Sequence, residues 1–283
     1  MPETVALDDI RSLADRVPLN NGTAMPRLGF GTYKAPPGQE VENAVRLALD
    51  AGYRGIDTAA LYRNEESIGR VLRESGIPRE ELFVATKVWN EDQGYDSTLR
   101  ALDASLRRLG LEYVDLYLVH WPKPPLMRDT WRAMEVIAET GRAKAIGVCN
   151  HLIHHLETLA SFANVMPAVD QVEHHPYLQQ PALREHCHAN GIVMQAWAPV
   201  MRGRSCQDPT LVEIAEAHGK TAAQVSIRWI LQHGVTTIPK SVHAERIHEN
   251  ADVFDFTLSA EEMRAIDGLD RHARLGPDPD TFA

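Results

Sequence analysis

Cysteine is scarce: Cys149, Cys187 and Cys206 are the three in 283 residues, odd in number and without C-x-x-C spacing. That pattern indicates neither a disulfide framework nor a thiolate zinc site, and reduced thiols are expected. Long apolar runs are absent as well, since no stretch approaches the roughly 18 unbroken apolar residues of a membrane span. The opening Met1 to Arg16 is charged throughout and has no apolar core, so no secretory signal is read there and a cytoplasmic location is expected. Positive charge is in deficit. Lys and Arg number 29 against 39 Asp and Glu, a net charge of −10 with a pI near 5.7. This argues against nucleic acid or an anionic membrane as a general partner, because each usually needs a basic face; a local basic pocket stays open. Linkers, low-complexity tracts and sequence-level repeats are missing too, so residues 1–283 are expected to form one domain.

What the chain does have is alternation. Apolar runs lie around Leu28 to Gly31, Gly55 to Asp57, Leu82 to Val88, Val114 to His120, Ala143 to Cys149, Val169 to Val172, Ile192 to Ala198 and Val235 to Pro239. Segments of helical period separate them. Eight alternating units imply a parallel sheet closed on itself, an α/β fold of the (β/α)8 TIM-barrel kind. Helix marks agree: Ser97 precedes an amphipathic stretch ending at Leu109-Gly110, and Thr221 opens Ala222 to His233 before Gly234. Two extra helices are read, Pro209 to His218 ahead of the seventh barrel helix and Ala260 to Leu269 beyond the eighth. After an N-terminal extension, residues 1–16, the segment Val17 to Pro26 carries Asn21-Gly22 between two short extended pieces, the signal of a tight β-hairpin. The Pro/Gly-rich tail from Arg271 to Ala283 is expected to lie across a surface near the substrate site.

Asp57, Lys87 and His120 end or nearly end the second, third and fourth runs, at intervals of 30 and 33 residues, and Tyr62 follows Asp57 by five. One strand, one helix and two short loops take about 30 residues. The shared register therefore places these side chains on one rim, where a barrel keeps its active site. A tyrosine is a poor acid at neutral pH, with an unperturbed pKa of about 10, and a nearby ammonium such as Lys87 stabilises its phenolate and lowers that value. Asp57 can pair with Lys87, while His120 can donate a hydrogen bond to a substrate carbonyl oxygen. The set makes a proton-donating site that requires no metal. The alternative is a structural ion-pair network at the rim.

A dinucleotide site has to be argued without G-x-G-x-x-G, because Gly29-Phe-Gly31 holds only its first two glycines. The better signal is at the eighth strand: Lys240 and Ser241 leave it, and the segment Ala244 to Asn250 reads as a helix whose N-terminal amides can accept a phosphate. Arg246 adds a planar fork suited to a phosphate monoester. Solvated surface charges are the other reading of Lys240 and Arg246.

The chain resembles the aldo-keto reductases, of the bacterial NADPH-dependent aldehyde and ketone reductase type. The likeness is carried by Gly29-Phe-Gly-Thr-Tyr33-Lys34, Gly52 to Glu66, Thr86-Lys87-Val-Trp89-Asn90, Leu111 to Pro122, Gly147-Val-Cys149-Asn150, Gln171-Val-Glu-His-His-Pro176 and Ile238 to Asn250, and runs from about Val17 onward. It implies that Tyr62 is the proton donor, that Lys87 and Asp57 tune it, and that His120 orients the carbonyl. It implies NADPH as the cofactor, with Asn150 and Gln171 on the nicotinamide carboxamide and Trp197 stacked on its ring. Ala198 and Val200 match the pyrophosphate loop. Lys240, Ser241, Val242, Arg246 and Asn250, with Glu249 beside them, match the adenosine 2′-phosphate and adenine site. Gly31, Thr32, Asp57 and Ile238 complete the implied cofactor set. Tyr33, Trp89 and Trp121, together with His120, are expected to line the substrate pocket. Two departures stand out: Cys149 where serine is common, and His243 where a small hydroxyl or amide residue is more usual.

The expected activity is thus reduction of aldehydes, ketones or dicarbonyls by a monomer whose partner is a small-molecule carbonyl compound. A short-chain dehydrogenase would need Y-x-x-x-K, and no tyrosine here has lysine four residues later. A cofactor-sensing regulatory subunit is the non-enzymatic alternative; a pure sensor has no chemical need of the four catalytic residues. Metal binding is not expected from His154-His155 or His174-His175, on the argument that neighbours on a strand point to opposite faces. Trp131 and Trp229 fall on helices and are expected in the core.

Overall fold

The computed structural model describes residues 10–282; the first nine residues of the expected N-terminal extension lie outside them. Two short antiparallel strands, β1 (Arg16–Pro18) and β2 (Ala24–Pro26), come first. Eight strands follow: β3 (Phe30–Gly31), β4 (Gly55–Asp57), β5 (Phe83–Val88), β6 (Val114–Val119), β7 (Ala143–Cys149), β8 (Val169–Glu173), β9 (Val193–Trp197) and β10 (Thr236–Thr237). They lie side by side in chain order, and every neighbouring pair is parallel. A parallel bridge between Leu28 and Thr237 joins the two ends of the sheet, with the Gly29 amide donating to the Thr237 carbonyl at 2.9 Å. The sheet is therefore a (β/α)8 barrel.

Its outer ring is α1 (Gln39–Asp50), α2 (Glu65–Glu74), α3 (Tyr95–Leu109), α4 (Met127–Glu139), α5 (Ile153–Ala160), α6 (Pro181–Ala189), α8 (Ala222–Gln232) and α9 (Ala244–Ala251). The extra helices are α7 (Pro209–His218) and α10 (Ala260–Asp267), linked by His218 Nε2 and Glu262 at 2.7 Å. Every residue of β5, β6 and β8 is buried, as expected of strands covered on both faces. Alternation along β5 sends Thr86 outward to Glu65 of α2 at 2.6 Å and Lys87 inward to Asp57. Trp131 and Trp229 are buried on α4 and α8, with their indole N–H groups on the Val165 carbonyl and the Asp267 carboxylate, both at 2.9 Å.

Two local readings need correction. Helix α3 starts at Tyr95, with Ser97 already in its first turn; Gly94, at φ 119°, is the residue that lets the chain enter. The hairpin is present, but its loop is Leu19 to Thr23, wider than a two-residue turn. Asn21 explains this, because its side-chain oxygen takes the amide and hydroxyl of Thr23 while its amide donates to the Lys144 carbonyl at 2.7 Å. The hairpin is tied across the N-terminal end of the barrel, where Leu19 and Met25 pack on Phe83, Leu116, Ala145 and Val169. That end is plugged, leaving the C-terminal rim open.

The tail crosses the open rim. The amides of Arg271 and Ala273 both donate to the Tyr177 carbonyl, and Phe282 packs on Trp121 with ring centroids 4.4 Å apart.

Candidate active site

Parallel strands of similar register deliver Asp57, Lys87 and His120 to the same rim, and a short 3-10 turn, Ala60–Tyr62, carries Tyr62 over them. Lys87 is fully buried. Its ammonium lies 2.6 Å from an Asp57 oxygen, 2.8 Å from the Thr58 carbonyl and 3.5 Å from the Tyr62 hydroxyl. The other Asp57 oxygen accepts from the Gln171 amide at 2.8 Å. The rings of Tyr62 and His120 meet edge to face at 5.7 Å, and Trp89 closes on His120 at 5.1 Å.

Charge and burial compete within this cluster. Burial alone would lower the Lys87 pKa, but the Asp57 carboxylate outweighs it and the lysine is raised, hence fully charged. For Tyr62, burial raises the pKa, Lys87 pulls it down and Asp57 adds to the rise, with a net upward shift. The lowering expected from Lys87 is thus present but outweighed. Because Tyr62 is half-buried on the cleft wall, water reaching the cleft softens that burial penalty. The hydroxyl is protonated at neutral pH, the state a proton donor needs. His120 is held well below its ordinary value by burial and then by Lys87, so its imidazole is neutral.

Asp57, Tyr62 and His120 line a cleft of about 550 Å³ at the C-terminal rim, with Lys87 fully buried behind them. Gly31, Tyr33, Trp89, Trp121, Asn150, Gln171, Trp197, Ala198, Val200, Ile238 and Lys240 share its wall. Thr32 is buried behind it, its hydroxyl on the Asp57 carbonyl at 2.8 Å. A Cβ on Gly31 would stand 2.7 Å from the Ile238 carbonyl oxygen, so only glycine lets β3 approach β10 this closely. Asp57, already paired with Lys87, is the one acid on the wall among the described residues, whereas Lys34, Arg202 and Lys240 supply cationic side chains. Asn150 and Ala198, both at the cleft, adopt left-handed backbone at φ 59° and 57°.

The amides form a connected set. Gln171 spends its Nε2 on Asp57 and on Gln195 Oε1, each at 2.8 Å. Asn150 accepts from Trp197 Nε1 at 2.9 Å and donates one N–H to the His120 carbonyl at 2.9 Å. Ser241, Val242, Arg246, Glu249 and Asn250 do not line the cleft; they sit on the segment leaving β10 and on α9. Ser241 and Asn250 are buried there, Arg246 is exposed, and Glu249 accepts from the Thr221 hydroxyl at 2.6 Å.

Several lining residues escaped the sequence reading by name: Leu61, Pro199, Arg202, Gly276, Pro277 and Phe282. Gln195 was missed too, although it lies two residues before Trp197 on β9 and so shares its face. The tail residues carry no periodicity that could have singled out Phe282.

His154 and His155 occupy the first turn of α5 rather than a strand, so they do not point to opposite faces. Their Nε2 atoms lie 2.9 and 3.5 Å from one Asp280 oxygen, and these three side chains could converge on an ion. However, His155 Nδ1 accepts the Leu152 amide at 3.1 Å. That bond assigns its proton to Nε2, which then donates to Asp280 and has no lone pair for a metal.

A sequence profile of the aldo/keto reductase family matches residues 27–271. Glyoxal reductase of Bacillus subtilis strain 168 is 52% identical over 269 residues, covering 95% of this chain and 98% of its own. Among solved structures, MGS-M4, an aldo-keto reductase from a Medee basin deep-sea metagenome library, has a TM-score of 0.92 at 45% identity, covering 94% of this chain and 99% of that one. A mutant of Gox0644 in complex with NADPH has a TM-score of 0.90 at 44% identity, covering 95% and 98%.

Proposed function

The chain belongs to the aldo/keto reductase family, and from that membership we propose that it reduces an aldehyde, ketone or dicarbonyl to the alcohol with NADPH, Tyr62 giving the proton. The observation that carries this reading is geometric: the Tyr62 hydroxyl lies 3.5 Å from the buried Lys87 ammonium, and its ring meets His120 edge to face at 5.7 Å on the wall of one cleft.

The donor set of the cleft suits this cofactor. Gln171 has both amide hydrogens engaged and offers its carbonyl oxygen, while Asn150 keeps one free N–H. A nicotinamide carboxamide presents an NH2 group that donates and a carbonyl oxygen that accepts, the complement of that pair. Trp197 offers an aromatic face, Ala198 and Val200 a loop for the pyrophosphate, and Gly31, Thr32 and Ile238 a close-packed edge. Lys240, Ser241, Val242, Arg246 and Asn250, with Glu249, would take the adenosine end and its 2′-phosphate. When bound, the cofactor supplies the hydride.

The protein does the rest. His120 donates to the substrate carbonyl oxygen and fixes its position against Tyr62. As negative charge develops on that oxygen, Tyr62 hands over its proton, and Lys87 stabilises the phenolate left behind. Asp57, held by Gln171, keeps Lys87 in place. Tyr33, Trp89 and Trp121 surround the substrate with apolar surface and exclude water. The same reading takes the chain as one barrel domain acting as a cytoplasmic monomer.

The glyoxal reductase relative makes small dicarbonyls the first substrates to try. Purified protein is expected to oxidise NADPH when glyoxal or methylglyoxal is added. Tight NADPH binding with no turnover across aldehydes, dicarbonyls and ketones would point instead to a cofactor sensor.

A further inference from the structure

Glu173 ends β8 with its carboxylate buried, and no step of the proposed reaction uses it. Three donors converge on it. His175 Nε2 lies 3.0 Å and the Leu275 amide 2.5 Å from one oxygen, and the Gly276 amide lies 3.0 Å from the other. Two of these donors belong to the tail, about a hundred residues further along the chain. Burial pushes the Glu173 pKa up, but the bonds from His175, Leu275 and Gly276 more than offset it, so the group is ionised at neutral pH. Gly276 also lies flat on an aromatic: a Cβ there would stand 2.6 Å from Trp197 Cη2. Beyond it the chain runs through Pro277 to Phe282, and all three line the cleft. Phe282 packs on Trp121 at 4.4 Å and reaches Trp89 at 6.3 Å.

We infer that Glu173 is a positioning residue for substrate recognition: its carboxylate clamps Leu275 and Gly276 against Trp197 and thereby sets the wall that Phe282 makes with Trp89 and Trp121. Backbone amides of a tail crossing a rim would otherwise be free to exchange their protein partners for water. A buried carboxylate is a strong acceptor for them, and it cannot be left unpaired without cost. The wall matters for substrates large enough to bury surface against Phe282. A dicarbonyl of two or three carbons has little area to gain there.

The inference rests on the carbonyl-reductase reading, and the test separates the two. Glu173→Gln keeps the shape but turns an N–H donor toward the tail amides. With 2-naphthaldehyde its KM is expected to rise about tenfold, the loss of one good charge-assisted bond, with kcat changed by less than about threefold. The rise with methylglyoxal is expected to be much smaller. Phe282→Ala should raise the 2-naphthaldehyde KM by a similar factor. The double variant should then show about the same tenfold rise, not about a hundredfold, because both changes remove one wall. Gly276→Ala, which lifts the tail off Trp197 and leaves the buried carboxylate intact, should reproduce the same selectivity change. A readout independent of turnover is hydrogen exchange of the peptide holding Leu275 and Gly276, expected to accelerate at least tenfold in Glu173→Gln. Multiplying KM effects in the double variant, equal KM rises for large and small substrates, or unchanged exchange would each overturn the clamp. If the wild type reduced no carbonyl at all, the functional reading would fall while the exchange result still decided the clamp.

Discussion

Removing the buried ammonium tests whether the site is an energetically coupled unit. Lys87→Met deletes bonds of 2.6 Å to Asp57 and 2.8 Å to the Thr58 carbonyl and leaves the Asp57 carboxylate buried without its counter-charge. Hydrogen bonds to a charged group are worth about 1.5 to 3 kcal/mol each, and breaking a buried pair from one side costs about 3 to 5 kcal/mol. Taking about 2 °C per kcal/mol for a chain of this length, the melting midpoint should fall by about 6 to 10 °C. Asp57→Asn should cost a comparable amount by stranding the ammonium. The double variant has no unpaired charge and should recover about 2 kcal/mol or more relative to the sum. The folded-state pKa of Lys87 is raised above its unfolded value. Its contribution is therefore complete below the unfolded pKa of about 10.4 and is lost only as pH rises through the higher folded value. Loss of the lysine's own charge should thus narrow the gap between wild type and Lys87→Met only above about pH 9. The assay is differential scanning fluorimetry of all four proteins at one scan rate. Single-variant losses that add within about 0.5 kcal/mol would refute the coupling.

Arg246→Ala should weaken NADPH by about tenfold, the low end for a charge-assisted bond at an exposed side chain, and leave NADH nearly unchanged. Fluorescence titration with both cofactors decides; equal losses would make Arg246 structural. Because burial and Lys87 hold the His120 pKa well below 6.5, the imidazole is neutral throughout about pH 6 to 8. The pH profile of kcat/KM should therefore show no limb near 6.5, and a limb that disappears in His120→Asn would mean the charged ring is the working form.

The barrel was legible because its signals are repeated and physical. Fully buried parallel strands have to read as apolar runs, and the spacing of Asp57, Lys87 and His120 follows from the length of a β/α unit. Boundaries were less legible. Ser97 looks like a cap by residue type, yet Gly94 starts the helix because the entry needs a positive φ that only the folded path reveals. Asn21-Gly22 signals a turn, but the bonds from Asn21 to Thr23 and Lys144 widen the loop. His154 and His155 were misplaced on a strand, since two adjacent residues carry no period of their own. The net pKa of Tyr62 was out of reach from sequence, being a contest between Lys87 and burial whose outcome depends on depth. The position of Phe282 was hidden for another reason: the tail is held by amides on Glu173 and a ring on Trp121, and neither contact leaves a pattern in the tail itself.

The central claim is that Tyr62 delivers the proton in an NADPH-dependent carbonyl reduction. The most direct measurement is steady-state NADPH oxidation with methylglyoxal by Tyr62→Phe, paired with the NADPH dissociation constant of the same variant. Loss of the proposed proton donor should lower kcat/KM by about two to four orders of magnitude. Cofactor affinity should stay within about threefold of the wild type. Near-normal turnover with intact NADPH binding would contradict the account.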